Sequence, residues 1–428
     1  MRIIQIKKPR LIFSWAFFFK PNHPTMILHR TLFFLSIKKP RDLLVNLIGF
    51  IRWMTYYAWK TCYTASKTRT SEQLTQYGLS RHALFWSLLK QSLLHIITPQ
   101  QYFKYHFYTE KQRALRFHYV YMHQLPYFHD LSNQHFKQYQ QAQRLMGNKD
   151  QFAAALEKIG IPVVRGDCYN ATELTKNMAV FFQKKTVFCK SNAGSHSQDA
   201  FLIAYDDAHD AYQLEPIQGA MMHTRPEIEH YILSALSRNK QVLIQPFLTD
   251  SDAIKALNTS CASTTVRIIT AKLTHDTHEP PTLLYLQLEI PLEKKDASQH
   301  QYYTILPLDS TTLDIDRVFQ KKYPHAKHQD VMISDPLKAQ LNTGIAHCIH
   351  AHHQLLDVRS VAFDIIISDK GAVIVEANYN WSVEMLYNVI EGDPLTSSHI
   401  AAKWQQSMFY RRKTPVIVQR GESLKCAP

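Results

Sequence analysis

The stretch Val361-Ala-Phe-Asp-Ile-Ile-Ile-Ser-Asp-Lys-Gly-Ala-Val-Ile-Val-Glu-Ala-Asn378 constrains the fold of this chain more than any other. Its flanks are β-branched and apolar, so they read as two strands. Asp369-Lys370-Gly371 between them reads as a three-residue hairpin loop, with Gly371 in the left-handed bulge position. Folded in this way, Asp364 stands opposite Glu376, with Cβ atoms roughly 5 Å apart. Two carboxylates that close on apolar strands repel each other and are costly to desolvate. A cation between them relieves both effects. Asn378, two residues beyond Glu376, points to the same face and adds a neutral oxygen. Two carboxylates and an amide oxygen, without Cys or His, suit a hard ion such as Mg²⁺. The plainer alternative is an exposed rim that bridges to Lys or Arg.

The chain has 428 residues, which suits two or three domains, and its 45% hydrophobic content makes it globular. Its net charge of +14 sits at one end: residues 1–60 hold eleven Lys or Arg against a single acid, Asp42. A basic nucleic-acid-binding surface spread over the whole chain is therefore not expected. The first 60 residues are also apolar and aromatic, so they fit either an amphipathic surface on anionic lipid or a helical subdomain packed on the rest. The six cysteines show no Cys-x-x-Cys spacing, which argues against a zinc site or a disulfide framework and for a reducing cytoplasm. The apolar run at 11–19 is too short to span a bilayer, and the run at 43–59 is broken by Asn46 and Arg52. No small-residue cleavage site follows the first run, so a signal peptide is not expected.

Residues 71–147 look helical. Asn148 or Asp150 caps a helix that ends at Gly160, and Ile161-Pro-Val-Val164 follows as a short strand. Segments 185–190 and 200–205 read as strands around the polar loop 191–199. Further strands are expected at 241–245, 263–271 and 282–290, and helices at 226–237, 338–356 and 383–389. Strands and helices alternate irregularly, with hairpins, so the fold class is α+β.

A Mg²⁺ held by few carboxylates usually keeps waters and bridges phosphates, which directs attention to cations upstream. Lys190 closes an apolar strand just before a small, hydroxyl-rich loop, a good place for a point charge on a phosphate; a lysine snorkelling to solvent is the plainer reading. Arg267 lies inside the β-branched strand Thr264-Thr-Val-Arg-Ile-Ile-Thr270 and faces either a ligand cleft or an acid partner. Lys149 opens its helix, where the dipole mildly disfavours a cation and a bound phosphate would account for it. His347, His350, His352 and His353 share a helix and read as a packed or solvated face rather than a metal site.

In order, these pieces resemble the ATP-grasp superfamily, and within it the sugar-transfer-associated ATP-grasp family. The resemblance covers about residues 140–395 and rests on Asn148-Lys149 with Gly160-Ile-Pro, Val187-Phe-Cys-Lys190, Leu243-Ile-Gln-Pro-Phe-Leu248, Ser263-Thr-Thr-Val-Arg267, and Phe363-Asp364 through Glu376-Ala-Asn378. It implies an ATP-grasp fold, in which two α+β subdomains clasp ATP, with an additional helical N-terminal region. The implied divisions are a basic, apolar segment 1–70, a helical region 71–147, a first ATP-grasp subdomain 148–250, a second 251–405, and a basic tail 406–428.

The resemblance also implies roles. Lys149 and Lys190 contact the α- and β-phosphates; Ser191, Gly194 and His196 of the loop reach the phosphates. Gln245, Pro246, Phe247 and Leu248 border adenine, and either Asp250 or Asp252 takes the ribose. Asp364, Glu376 and Asn378 hold two Mg²⁺ ions, and Arg267, with Lys190, serves the transferred group. The loop after Lys190 is poorer in glycine than the family's, the hinge carries Gln245 where Glu is common, and Ala362-Phe363-Asp364 stands where Gly-Trp-Asp is frequent. The implied activity is an ADP-forming carboxylate–amine ligase working through an acyl phosphate, with small, sugar-linked substrates in surface-polysaccharide assembly. Segments 289–303 and 381–388 are the expected walls of the acceptor pocket. A kinase acting on a hydroxyl, and a nucleotide binder without turnover, remain open as alternatives. The expected location is cytoplasmic, peripheral at the inner face of the membrane, with no nucleic-acid partner.

Overall fold

The computed structural model describes residues 24–183, 185–192, 200–216, 221–238, 241–258, 260, 262–274, 276–296, 301–323 and 331–409. Its frame is two five-stranded antiparallel sheets. The first is built from β1 (Asp167–Asn170), β2 (Val187–Ser191), β3 (Phe201–Asp206), β4 (Ala211–Pro216) and β5 (Gln241–Pro246), in the order β1-β5-β2-β3-β4. The second contains β6 (Thr265–Ala271), β7 (Thr282–Asp296), β8 (Gln301–Leu308), β9 (Ser360–Ser368) and β10 (Gly371–Asn378), in the order β10-β9-β6-β7-β8. With the helices of residues 24–147 ahead of them, the class is α+β, as expected.

Each sheet has its own apolar face. In the first, Val187, Cys189, Phe201, Ile203, Val242 and Ile244 pack with Ile228 and Ile232 of the helix Arg225–Arg238. In the second, alternation along β6, β7 and β9 sends Ile268, Leu286, Leu288, Phe363 and Ile365 toward Leu337, Leu341 and Cys348 of the helix Asp335–Leu355. That helix lies close to the sheet at Gly344, where a Cβ would stand 2.5 Å from Ile365 Cδ1. The buried His352 of the same helix is hydrogen-bonded to Thr270 Oγ1 and Val358 O, so it is a packed histidine.

The opposite face of the second sheet is divided. At one end Ile269, Ala271, Leu284 and Ala362 enter a third core with Leu84, Leu88 and Phe128 of the N-terminal helices and Trp404 of the helix Ile400–Phe409. At the other end the same face carries Arg267, Asp364 and Glu376. Polar contacts tie the N-terminal helices to the turn after β10: Val120 N donates to Tyr387 Oη at 2.8 Å, a His129 ring nitrogen lies 2.8 Å from Trp381 O, and Lys104 pairs with Glu384 at 2.6 Å. Among the described residues, no helix is long and apolar enough to cross a membrane.

Several expectations shift. The segment 161–164 is not a strand: Val163 makes a single parallel bridge to Ile374, and Pro162, which lacks an N–H, contributes only its carbonyl to Ile374 N. β1, β4 and β8 lie outside the expected strands, because their sequences are polar or broken by proline. Residues 71–147 are helical as expected, in several short helices, since Thr70, Ser80, Thr98 and Thr109 each cap a new start with a side-chain oxygen. The expected helix at 383–389 is a 3₁₀ helix, Val383–Asn388.

Candidate active site

Asp364 and Glu376 are register partners, as the hairpin reading requires, but the extra residue is elsewhere. Gly371, at φ +95°, pairs with Ser368 across the Asp369-Lys370 turn, and the register shifts between Ile374 and Glu376. The bulge at Val375 has a consequence for side-chain direction. Before it, Ala372 and Ile374 face the helix-covered core; after it, Ala377 does. The shift by one residue therefore turns Glu376 and Asn378 out of the core and onto the face of Asp364.

A polar row then crosses four strands. Glu376 pairs with Asp364, Asp364 with Arg267, and Arg267 with Gln287. The Arg267 guanidinium grips Asp364 with both prongs, Nε to Oδ1 at 2.8 Å and Nη2 to Oδ2 at 3.2 Å, and its Nε lies 3.4 Å from Glu289 Oε1. The row continues along β7: Gln287 Nε2 donates to Glu289 Oε1 at 2.6 Å, and Tyr285 Oη donates to Gln287 Oε1 at 2.7 Å. Tyr285 is also hydrogen-bonded to Asn388, one wall of a cavity of about 310 Å³ that includes Tyr105, Tyr119, Lys322 and Tyr387. Tyr285 and Gln287 carry no expectation from the sequence. The available signal was the alternation of Tyr285, Gln287 and Glu289 with Leu284, Leu286, Leu288 and Ile290 on one strand.

Lys149 joins the two sheets. Asn148 caps its helix by accepting from Gln151 N, and Gly160 ends it at φ +76°, both as expected. The Lys149 ammonium reaches Ser191 O of β2 at 3.4 Å and Glu376 Oε2 of β10 at 3.7 Å. Its awkward place at a helix start is thus already offset by Glu376. Lys190, on β2, is buried, and its ammonium feels the charges of Glu376, Lys149 and Asp364.

The charges strain against burial in a consistent pattern. Burial pushes the Asp364 carboxyl up; Arg267 opposes this, Glu376 and Glu289 add to it, and its pKa is raised to about 7. Burial also acts to raise Glu376, but Lys149 and Lys190 outweigh it and hold that carboxyl below its usual range. For Lys190, burial dominates, Glu376 opposes it and Lys149 reinforces it, so its ammonium is depressed to about 8. Burial disfavours the charged Arg267, yet Asp364 and Glu289 outweigh it and its pKa is raised.

Three acids on this face meet one arginine and two lysines. The crowding of Asp364 against Glu376 and Glu289 is an excess of negative charge that a divalent cation would relieve. With the Asn378 amide beside them, the residues present fit Mg²⁺ held by few protein ligands and completed by water. The protein's own groups already engage the pair, however: Asp364 is bidentate to Arg267, and the neutral Asn378 amide donates from Nδ2 to Glu376 Oε1 at 3.1 Å. Among the described residues no cluster of three or more His, Cys, Asp or Glu is arranged to hold a metal.

The remaining site expectations divide. Gln245 and Pro246 line a cavity of about 330 Å³ with Gly166, Val187, Ile244 and Lys185. The Gln245 amide donates to Val164 O at 2.9 Å, while Phe247 and Leu248 lie outside that lining, and Leu248 O accepts from Ser263. The Asp250 carboxylate is buried and caps Thr264 N, at 2.9 and 3.0 Å, while accepting from Asn258 Nδ2 at 2.8 Å; its oxygens are committed to holding the chain between the sheets. Asp252 is fully exposed and pairs with Lys255 at 3.0 Å. Ser191 ends β2 beside the Lys149 ammonium. Gly194 and His196 lie outside the described residues.

No family model matches the chain, and no curated protein matches it. Solved structures do. D-alanine–D-alanine ligase from Helicobacter pylori matches at 14% identity over 61% of this chain and 61% of that one, with a TM-score of 0.37. The ATP-grasp ligase PsnB with a minimal precursor matches at 14% identity over 63% and 60%, with a TM-score of 0.34. The biotin carboxylase domain of Hydrogenobacter thermophilus 2-oxoglutarate carboxylase, in complex with MgADP, matches at 12% identity over 66% and 47%, with a TM-score of 0.38. The chain is similar to these proteins over less than two thirds of their own length.

Proposed function

We propose that this protein is an ATP-dependent, ADP-forming carboxylate–amine ligase of the ATP-grasp type. The observation that carries the reading is the convergence of Lys149, Lys190 and Arg267, from three separate elements, on the facing carboxylates Asp364 and Glu376. Three cations beside two acids form a place for a triphosphate and the divalent ion that accompanies it. The ion, held by Asp364, Glu376 and Asn378, would screen the triphosphate so that an anionic nucleophile can approach.

The chain's own residues do the positioning. Lys190, buried and depressed to about 8, gains most by meeting a phosphate, because it gives up little water to do so. Lys149 exchanges its 3.7 Å contact with Glu376 for a phosphate oxygen. Arg267 offsets charge that develops on the transferred group, and Glu289, 3.4 Å from its Nε, would keep that guanidinium oriented if Asp364 held a metal. The base fits the cavity beside Gln245 and Pro246. A substrate carboxylate attacks the γ-phosphorus and ADP leaves; an amine then displaces inorganic phosphate from the acyl phosphate and forms the amide. The cavity walled by Tyr105, Tyr119 and Tyr387 lies at the other end of the Tyr285–Gln287–Glu289 row, and we assign it to the acceptor. Its rings and cations suit a sugar-linked, acidic molecule, in keeping with assembly or modification of a surface polysaccharide in the cytoplasm.

The test is incubation with ATP, Mg²⁺, an amino-acid pool and nucleotide sugars, with product mass and inorganic phosphate followed together. A ligase gives a condensed product and one phosphate per ADP. A phosphorylated product without free phosphate would replace this reading with a kinase; no ADP under any mixture would reject both.

A further inference from the structure

The helix Pro40–Arg52 is packed inside out. Leu43, Leu44, Leu47, Ile48 and Ile51 are 43–57% exposed, whereas the polar Asn46 is 3% exposed and Gly49 is buried. At about 100° per residue, the five apolar residues form one stripe, and Asn46, Gly49 and the buried Trp53 lie on the side opposite to it. A helix resting on a water-soluble core places its leucines inward. Here the covered residues are a small amide and a glycine, and the leucines are exposed.

The stripe is continued by aromatics and bordered by cations. A π-helical turn, Trp53–Tyr57, leads into the helix Ala58–Lys67, and Tyr56 of the turn is exposed with Trp59 and Tyr63 of the helix at helical spacing. Trp59 meets the exposed Trp86 edge-on at 6.4 Å. Lys60 and Lys67 lie over the Tyr56 and Tyr63 rings, 5.5 and 5.9 Å from their centroids. Lys38, Lys39 and Arg41 are exposed at the start of the helix, and Asp42, whose carboxylate is turned back to the Lys38 and Lys39 amides, is the one acid among the first 60 residues.

We propose that this face docks the protein on an anionic lipid bilayer, with the Leu43–Ile51 stripe below the headgroups, Trp59 and Trp86 at headgroup level, and the lysines and arginines on lipid phosphates. An exposed apolar stripe of this size marks an interaction surface. Its charge selects the partner: a strongly basic rim complements an anionic headgroup layer, whereas a second copy of the same basic face would be repelled. Exposed aromatics beside lysines have the amphipathic character of an interfacial belt. The inference stands apart from the ligase reading, because it uses none of the residues assigned to ATP.

Flotation of the full chain with phosphatidylcholine vesicles, with and without phosphatidylglycerol, tests it. The native protein is expected to float with the anionic vesicles and to remain behind with the neutral ones. L44E/L47E, at two exposed positions, is expected to bind roughly a hundredfold more weakly. Its melting temperature and its ATP turnover in solution should be unchanged, so that loss of docking is not confused with loss of fold. K38E/K39E/R41E is expected to lose the preference for anionic vesicles. Equal flotation of native protein and L44E/L47E overturns the proposal, as does failure of the native protein to float. A native dimer that L44E/L47E converts to monomer, without vesicle binding by either, assigns the face to a second copy instead.

Discussion

At the scale of the residue, the site is governed by which buried charge faces which. Asp364 has one cation in bidentate contact and two acids nearby, so Arg267 is what keeps the row tolerable without a metal. Arg267→Met should lower stability by about 3–5 kcal/mol in urea titration, because it leaves crowded, buried acids behind. The double variant R267M/D364N should recover part of that loss, and both should abolish ATP turnover. If the single and double variants prove equally unstable, the pair is not the coupling the geometry describes. A second expectation concerns Lys190. Its folded pKa, about 8, lies below the ordinary lysine value of 10.5. Between those values the unfolded chain keeps a proton that the folded chain has released, so this group favours folding increasingly as pH rises through that window. Phosphate binding runs the other way, since it needs the charge. The Kd for ATP, measured by calorimetry, should therefore rise above pH 8, and the rise should vanish in Lys190→Met, whose affinity is already at least about tenfold weaker.

At the scale of the element, a single extra residue decides whether the site exists. Without the bulge at Val375, Glu376 would continue the phase of Ala372 and Ile374 and point into the core against the helix Asp335–Leu355. Deleting Val375 should thus bury a carboxylate, lower the melting temperature and remove Mg²⁺-dependent turnover together, whereas Val375→Ala should change turnover little. Gly166 sets a second such constraint. A Cβ there would lie 2.4 Å from Ile244 O and 2.6 Å from Gln245 Cγ, so the segment before β1 can run against β5 only without a side chain. Gly166→Ala must move backbone, with a cost of roughly 1–3 kcal/mol. Because Gly166 also lines the cavity beside Gln245, it should weaken ATP binding more than catalysis at saturation, a split that steady-state kinetics reads.

At the scale of the whole molecule, the second sheet is shared between two cores while the first sheet has its own. The N-terminal helices are built onto the second sheet through Ile269, Ala271 and Ala362, and onto the turn after β10 through Trp381. Leu88→Ala, far in sequence from the site, creates a cavity in that shared core and should cost about 2–5 kcal/mol. In hydrogen-exchange experiments it should raise exchange in β6 and β9 together with the N-terminal helices and leave β2, β3 and β5 unaffected. Uniform acceleration across both sheets would contradict the division into cores.

What was legible from sequence alone follows the range of the interactions. The carboxylate hairpin, the Asn148 cap, the Gly160 stop and the strand cations Lys190 and Arg267 all declare themselves within a few residues, through period-two alternation, cap chemistry and the conformational freedom of glycine. The place of the extra residue in the hairpin was not legible, because a loop glycine and a bulge at Val375 both bring Asp364 opposite Glu376, and only the packing of Ile374 against a helix 30 residues earlier in the chain distinguishes them. The different surroundings of Asp250 and Asp252 were not legible for the same reason: the amide of Thr264 that Asp250 caps arrives from another element. The inverted helix Pro40–Arg52 shows the limit most plainly. Its stripe is written in the sequence, but which side of the helix is covered was decided by tertiary structure, which buries Asn46 and Gly49 and leaves the leucines exposed.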